Sequence, residues 1–493
     1  MSYEGQAHHP HTAGHPPNAH LIAPSLGGYL PPGLHLVQAH WFVRHGERAP
    51  VRQRLVGKAD IPAVFQFCSV ARDFATAVLS FAPTSPSESS SALATATSPS
   101  LFSPTMRHVT THGSAQPNPQ PRRGRLEVKR FTEDVGGGRP SRGGMADCYW
   151  GELTDLGRLS TLSLGFHLRR LYIDQLSFLP PTLDSISASE QVIEGLWGRE
   201  QREAGLQVGY QVRNWMDENL YPNTHCRCLA PSPPRPLTFS LMNRPCWDRR
   251  LRELDTASIK EAARLYNPTL APLDAVLAQI VGDPLRIDSS PRANGILDTV
   301  LACHAHGVKV PPELDDPTTL RTLENAVVHE WFDAYKLPEF KKLAMGRLFR
   351  ELGATMEAKI GDPEERTEKL RLAVYSCHDT SVAGILNALG VFDRRWPPFT
   401  SHVAIELFRS APPPPSSSSL ASFLPALLRP SRTTPHFVRL RFNGLSLRLP
   451  ACAAPGKHLE GSEGEVCTWE AFKSALAAVE CSEGEWKRAC GEE

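Results

Sequence analysis

The sequence has no long hydrophobic run and no excess of charge of either sign. None of its 493 residues belongs to an apolar stretch of roughly 18 residues or more, so no transmembrane helix is predicted. The net charge of +1 provides no basic excess of the kind that binds nucleic acid or an acidic membrane surface. No nucleic-acid partner is therefore predicted, and any anion must be bound by a local group of charges.

Two common targeting patterns are also missing from residues 1–33. These residues contain neither the apolar stretch of a secretory signal nor the arginine-rich pattern of a mitochondrial presequence. A cytoplasmic location is predicted, and a mitochondrial one is left open. The eleven cysteines are then expected to be mostly reduced, although Cys452 and Cys467 could pair in an exported protein.

The cysteines show no usual zinc-binding pattern. His225, Cys226 and Cys228 lie close together, but no second pair follows at a fitting distance. No metal and no cofactor are predicted, and nothing in the sequence indicates an oligomeric state.

Three segments are too poor in apolar residues to form a core. They are the His- and Pro-rich residues 1–33, the Ser-, Thr-, Pro- and Gly-rich residues 84–143, and the loop 411–432 with its run PPPPSSSS. Such compositions favour disorder, because little apolar surface is buried to offset the chain entropy. The remainder, roughly 370 to 390 residues, suffices for one large domain with an insertion or for two unequal domains.

Strand and helix patterns alternate outside these segments. Short apolar runs predict strands at residues 36–43, 372–377, 403–408 and 437–442. Apolar residues at helical spacing predict helices at residues 154–175, 259–266, 320–334 and 339–359. We therefore predict an α/β fold whose central, mostly parallel sheet is flanked by helices, with a helical subdomain inserted. The sheet domain would comprise residues 34–83, 144–189 and 371–493, and the subdomain residues 190–370.

One histidine lies between two arginines directly after the first predicted strand. Arg44, His45 and Arg48 belong to the motif RHGERAP at residues 44–50. Arginine binds phosphate oxygens through a planar fork of donors, so both guanidinium groups could orient and neutralise a phosphate beside the imidazole. An ordinary strand exit with a glycine and solvated arginines explains the same residues. The motif alone leaves both interpretations open.

A second polar pair follows the strand at residues 372–377. His378 and Asp379 come directly after it, and Thr380 is a suitable N-cap for a helix over residues 381–392. Free amides at a helix N-terminus favour an anion. Because ligands of α/β sheets bind beyond the carboxyl ends of the strands, the two loops would form one site if their strands are neighbours. The alternative is that His378 and Asp379 only cap the helix and have no role in binding or catalysis.

The two motifs resemble those of the histidine acid phosphatases, the second branch of the histidine phosphatase superfamily, which have a phosphoglycerate-mutase-like fold. Other blocks resemble the same family: GELTDLGR (151–158), PRANGILDT (291–299), WPPFTSHVAIEL (396–407) and GKHLEGSEGEVCTWEAF (456–472). The last two blocks and residues 330–352 are most similar to the lysophosphatidic acid phosphatase group.

The resemblance implies hydrolysis of small phosphate monoesters through a phosphohistidine. It implies that His45 is the nucleophile and that Asp379 donates a proton to the leaving alkoxide. Arg44, Arg48 and His378 would bind the phosphate. A proton-donating carboxyl predicts an acidic pH optimum, and this chemistry needs no metal or cofactor.

The family also carries a third phosphate-binding arginine between the two loops, and the corresponding block is missing from residues 180–227. Arg199, Arg202 and Arg213 are the nearest arginines, but their surroundings do not match and the role is not carried over to them. One alternative is therefore a catalytically impaired protein that binds phospho-ligands in the same crevice. Another is a phosphotransferase that passes the phosphoryl group to an acceptor other than water.

Overall fold

The computed structural model describes residues 28–70, 147–182, 190–201, 213–214, 217–223, 249–362, 370–411 and 434–490. The chain divides into one unit of Met1–Ala63 with Trp150–Glu493 and a second unit of Val64–Tyr149. The predicted insert 84–143 and the group around His225 lie outside the described residues, as do most of 1–33 and 411–432. The predicted domain boundaries stay predictions.

Helices account for most of the described residues between the two sequence motifs. The α-helices are α1 (Asp155–Arg169), α2 (Glu190–Leu196), α3 (Arg249–Leu270), α4 (Asp274–Val281), α5 (Ala293–Ala305), α6 (Pro312–Asp315), α7 (Pro317–Phe332), α8 (Pro338–Gly361), α9 (Asp379–Ala388), α10 (Trp469–Ala477) and α11 (Glu483–Cys490). A π-helical turn at Arg170–Gln175 continues α1. The four predicted helices are confirmed, and the one at 259–266 is longer than predicted, since α3 begins at Arg249 and continues past Pro268 to Leu270.

The sheet contains all four predicted strands. Its strands are β1 (Leu34–Arg44), β2 (Leu372–Cys377), β3 (His402–Ser410), β4 (His436–Phe442), β5 (Leu445–Ser446) and β6 (Val466–Thr468). Their order is β2-β1-β3-β4-β5, and β6 also pairs with β4. An α/β sheet flanked by helices is thus confirmed, but the expected mostly parallel arrangement is wrong. Among the described strands, only β1 and β2 form a parallel pair. β3 runs antiparallel along the other side of β1, and the pairs formed by β4 are antiparallel as well.

Both faces of β1 are covered, as its nearly continuous apolar sequence requires. Successive side chains of a strand point to opposite faces. Trp41 and Val43 pack in a core with Leu164 and Leu168 of α1, whereas Phe42 belongs to the larger core that contains α8 and α9 residues. The two cores hold β1 between β2 and β3 and so set the position of the loop that follows Arg44.

Within the part of the chain that the structure describes, two pairs of cysteines are joined by disulfide bonds. They are Cys68–Cys148, within the second unit, and Cys452–Cys467, within the first. The expectation of mostly reduced cysteines is therefore wrong for these four residues. Three further cysteines of the described ranges, Cys303, Cys377 and Cys481, are free and buried. Within the same ranges, no helix combines the length and the apolar character needed to cross a membrane.

Candidate active site

The two sequence motifs meet at the end of the sheet where β1 and β2 finish. Because β1 and β2 are parallel, their carboxyl ends lie side by side. Arg44 pairs with Cys377 in the last register position. The His45 amide donates to the Cys377 carbonyl over 3.2 Å. The imidazole rings of His45 and His378 consequently lie 5.5 Å apart, centre to centre. The expected proximity of the two loops is thus present.

The ring of His45 is neutral and has a defined tautomer. Its Nδ1 lies 2.9 Å from the Gly46 carbonyl oxygen. Since a carbonyl oxygen can only accept, Nδ1 carries the hydrogen and Nε2 has the free lone pair. Burial is the largest cause that lowers the pKa of His45 to about 3, and the positive charge of Arg44 is the next. The ring therefore stays unprotonated at Nε2 at pH values well above this pKa.

The backbone of the His45 loop is held by contacts that leave no room for side chains. A methyl group at Gly46 would overlap the carbonyl of Gly157, and one at Gly157 would overlap the backbone of Glu47. Thr154, the N-cap of α1, donates its backbone amide to the Glu47 carbonyl over 3.0 Å. The first turn of α1 therefore fixes the position of the loop through direct backbone contact.

A buried polar network supports the same loop from a second side. The Ser160 hydroxyl donates to the Glu47 carboxylate over 2.5 Å and lies 2.9 Å from the Thr400 hydroxyl. The Thr400 amide in turn donates to the His45 carbonyl over 3.0 Å. Thr400 has a φ of 60° although it carries a β-branched side chain, and such a conformation persists only where surrounding contacts enforce it.

Arg44 is buried and directs its guanidinium group into this cluster. Its Nη2 lies 2.8 Å from Oδ2 of Asp379, and its Nη1 donates to the Pro397 carbonyl. The guanidinium carbon also lies 4.4 Å from the centre of the Phe399 ring. Its Nε is buried and has no hydrogen-bond partner among the described residues. A buried donor without a partner is costly, so this nitrogen is suited to a ligand oxygen.

Asp379 is the first residue of α9 and directly follows the helix cap. The N-cap is His378, whose amide donates to Ser381 Oγ over 3.3 Å, so the expected N-cap role of Thr380 is wrong. Strand β2 passes directly into the helix, which starts two residues earlier than predicted. Burial raises the pKa of the Asp379 carboxyl, but nearby positive charge, that of Arg44 above all, outweighs it and the net pKa is lowered.

The second arginine of the motif is also paired with a carboxylate. Arg48 Nη1 lies 2.8 Å from Oδ1 of Asp298, and Oδ2 of Asp298 accepts from the Val51 amide over 3.0 Å. The guanidinium carbon of Arg48 lies 5.7 Å from the centre of the Phe399 ring. Arg44 and Arg48 therefore both lie near this ring, whose centre is 5.9 Å from that of the His45 ring.

Comparisons with known proteins identify the family of this chain. The profile of the histidine phosphatase superfamily (branch 2) matches residues 314–443. A probable acid phosphatase of Schizosaccharomyces pombe is 35% identical over 396 residues, which cover 77% of this chain and 73% of that protein. The chain belongs to the histidine acid phosphatase family. As a member of this family it is a phosphatase that acts on phosphate monoesters.

Two further comparisons are more distant. Human lysophosphatidic acid phosphatase type 6 is 26% identical over 288 residues, and the match spans 54% of this chain and 58% of the human protein. A solved phytase structure from Hafnia alvei has a TM-score of 0.48 and 14% identity, covering 94% of this chain and 99% of the phytase.

Three residues at this site were not predicted from the sequence: Asp298, Phe399 and Thr400. Asp298 and Phe399 lie within the family-like blocks PRANGILDT and WPPFTSHVAIEL, but neither the blocks nor any local pattern shows that they contact Arg44 or Arg48. Of the arginines near the missing block, Arg213 forms an ion pair of 2.7 Å with Glu351, and Arg202 lies outside the described residues.

Proposed function

We propose that this protein hydrolyses phosphate monoesters in two steps through a phosphohistidine at His45. The observation that carries the proposal is the hydrogen bond from His45 Nδ1 to the Gly46 carbonyl, which directs the hydrogen away from Nε2. A neutral imidazole with a free Nε2 is the form that can attack phosphorus.

In the first step, His45 Nε2 forms a bond to phosphorus while the bond from phosphorus to the ester oxygen breaks. Asp379 in its protonated form gives its proton to the leaving oxygen, and the alcohol departs. Arg44, Arg48 and His378 bind the non-bridging oxygens, whose charge needs preorganised donors. The partnerless Nε of buried Arg44 supports its place among these donors.

In the second step, water attacks the phosphohistidine and inorganic phosphate leaves. The Asp379 carboxylate takes a proton from the water as the new oxygen bond forms and the bond from phosphorus to Nε2 breaks. His45 and the protonated Asp379 are then restored. No metal or cofactor takes part in this scheme.

The proposal is tested by phosphate release from p-nitrophenyl phosphate between about pH 4 and 7.5. We expect release by the wild-type protein and none by His45→Ala, with a circular dichroism spectrum like that of wild type as the folding control. Reactions with ³²P-labelled substrate that are quenched in alkali should show a base-stable, acid-labile label on the wild-type protein only. Equal rates for the two proteins would refute the proposal.

The substrate proposed for the first assays is lysophosphatidate, because one relative is named for its hydrolysis. A sugar phosphate or phytate-like ester serves as the comparison. Transfer of label to an added alcohol instead of water would favour the phosphotransferase alternative. Tight phosphate binding without any turnover would favour an impaired phospho-ligand-binding protein. A cytoplasmic location also remains a prediction, although disulfides are more typical of oxidising compartments.

A further inference from the structure

Asp298 places a negative charge directly beside a proposed phosphate-binding residue. Its Oδ1 pairs with Arg48 Nη1 at 2.8 Å, and the Asp298 side chain is only 15% exposed. A phosphate bound by Arg48 would therefore share that guanidinium group with a carboxylate. One guanidinium group cannot neutralise both the carboxylate and the phosphate. In a partly buried site, the remaining negative charge weakens phosphate binding.

A second guanidinium group lies next to the same carboxylate. Gly295 and Asp298 are three residues apart in α5 and therefore on one face of the helix. The Arg54 guanidinium packs so closely on Gly295 that a methyl group there would overlap it. Burial lowers the pKa of Arg54, and the charge of Asp298 acts in the opposite direction. Arg54 thus lies within electrostatic reach of Asp298.

Arg54 has no carboxylate of its own. Its Nη1 is buried without a hydrogen-bond partner among the described residues, and no ion pair joins Arg54 to an acidic residue there. Arg44 and Arg48, by contrast, are each paired with a carboxylate at 2.8 Å. The charge of Arg54 is therefore available to compensate Asp298.

We propose that Arg54 is a positioning residue that neutralises Asp298 and thereby leaves the charge of Arg48 for the substrate phosphate. The proposal rests on the function proposed above, in which Arg48 binds phosphate. It assigns a role in phosphate affinity to a residue outside RHGERAP and next to the surface of α5.

The test is a double-mutant cycle with Arg54→Gln and Asp298→Asn, read out as the Kd of inorganic phosphate by calorimetry. Arg54→Gln should raise this Kd about fivefold, since a charge pair of this exposure is worth at most about that factor. In the Asp298→Asn background the same change should have no effect, because there is no carboxylate left to neutralise. Arg54→Lys should restore most of the affinity.

A second variant disturbs the contact between the Arg54 guanidinium and Gly295 without removing the arginine. Gly295→Ala should displace the flexible guanidinium, weaken phosphate binding in the same direction and keep or raise the melting temperature, because alanine favours a helix. Arg264→Gln, which removes an exposed guanidinium from α3, is the matched control and should leave the Kd unchanged.

Two results would overturn the proposal. One is an equal loss of affinity from Arg54→Gln with and without Asp298→Asn, which would mean that Arg54 binds phosphate directly. The other is an unchanged Kd in a folded Arg54→Gln protein. Failure of the wild-type protein to hydrolyse p-nitrophenyl phosphate would instead refute the proposed function, and the phosphate Kd would still report on Arg54.

Discussion

Arg44 holds Asp379 by an ion pair of 2.8 Å between Nη2 and Oδ2. One guanidinium group thus contacts both the carboxyl proposed as proton donor and the place proposed for phosphate. The pair favours the carboxylate, whereas proton donation needs the carboxylic acid. A bound phosphate dianion would offset part of the positive charge of Arg44 and so weaken the preference for the ionised form of Asp379. Substrate binding and protonation of Asp379 should therefore assist each other.

Removal of the Arg44 charge should therefore move the pH profile. The lowered pKa of Asp379 depends most, among the neighbouring charges, on Arg44. Because the acid form is required, kcat/KM should fall as the pH rises through this pKa. In Arg44→Gln the pKa should rise, so the falling limb should move to higher pH while the maximal rate drops by roughly two to three orders of magnitude.

The control for this prediction is Arg44→Lys, which keeps the charge and should keep the position of the falling limb. The measurement is kcat/KM for p-nitrophenyl phosphate across the acidic range. An unmoved limb in Arg44→Gln would mean that Asp379 is not the group that titrates.

Asp379→Asn should affect substrates according to their leaving group. An alkyl phosphate needs a proton on its leaving oxygen, whereas p-nitrophenolate leaves without one. We expect kcat/KM to fall about 100-fold to 10,000-fold for glycerol phosphate and much less for p-nitrophenyl phosphate. Similar losses for both substrates would assign Asp379 to binding and not to proton transfer.

Gly157→Ala should inactivate the protein even though alanine favours a helix. The added methyl group would overlap the backbone of Glu47 and displace the loop that carries His45. Gly353→Ala in α8 is the matched control, because its methyl group would find its nearest neighbour, Leu476, at 3.4 Å. The control should retain activity and gain up to about 1 kcal/mol of stability. Thermal unfolding and phosphatase assays of both variants test this contrast.

The Cys452–Cys467 disulfide should stabilise the edge of the sheet near β6. It closes a loop with a sequence separation of 15, for which the expected contribution is about 3 kcal/mol. A Cys452→Ser, Cys467→Ser variant should lose this amount of unfolding free energy in urea titrations. Reduced wild-type protein should behave like the variant, and a stability indifferent to reductant would contradict the bond.

The sequence predicted the parts of the site that follow directly from single strands. Apolar runs ending at Arg44 and Cys377 indicated two strand ends, and their polar successors His45 and His378 are adjacent. Asp298 and Phe399 were not predictable in the same way, because their contacts with Arg48 and Arg44 arise from the packing of segments far apart in the chain. The tautomer of His45 likewise depends on the local path of the Gly46 backbone, which no residue pattern reveals.

The antiparallel direction of β3, which the sequence did not indicate, has a consequence for how this enzyme could diversify. Since β3 starts at the edge where β1 and β2 end, the loop before it brings Pro397 and Phe399 onto Arg44. This loop contributes a wall to the site but none of its proposed reacting groups. Changes of its length or side chains could therefore alter which leaving groups are accepted, without moving the groups at the ends of β1 and β2 that are proposed to react.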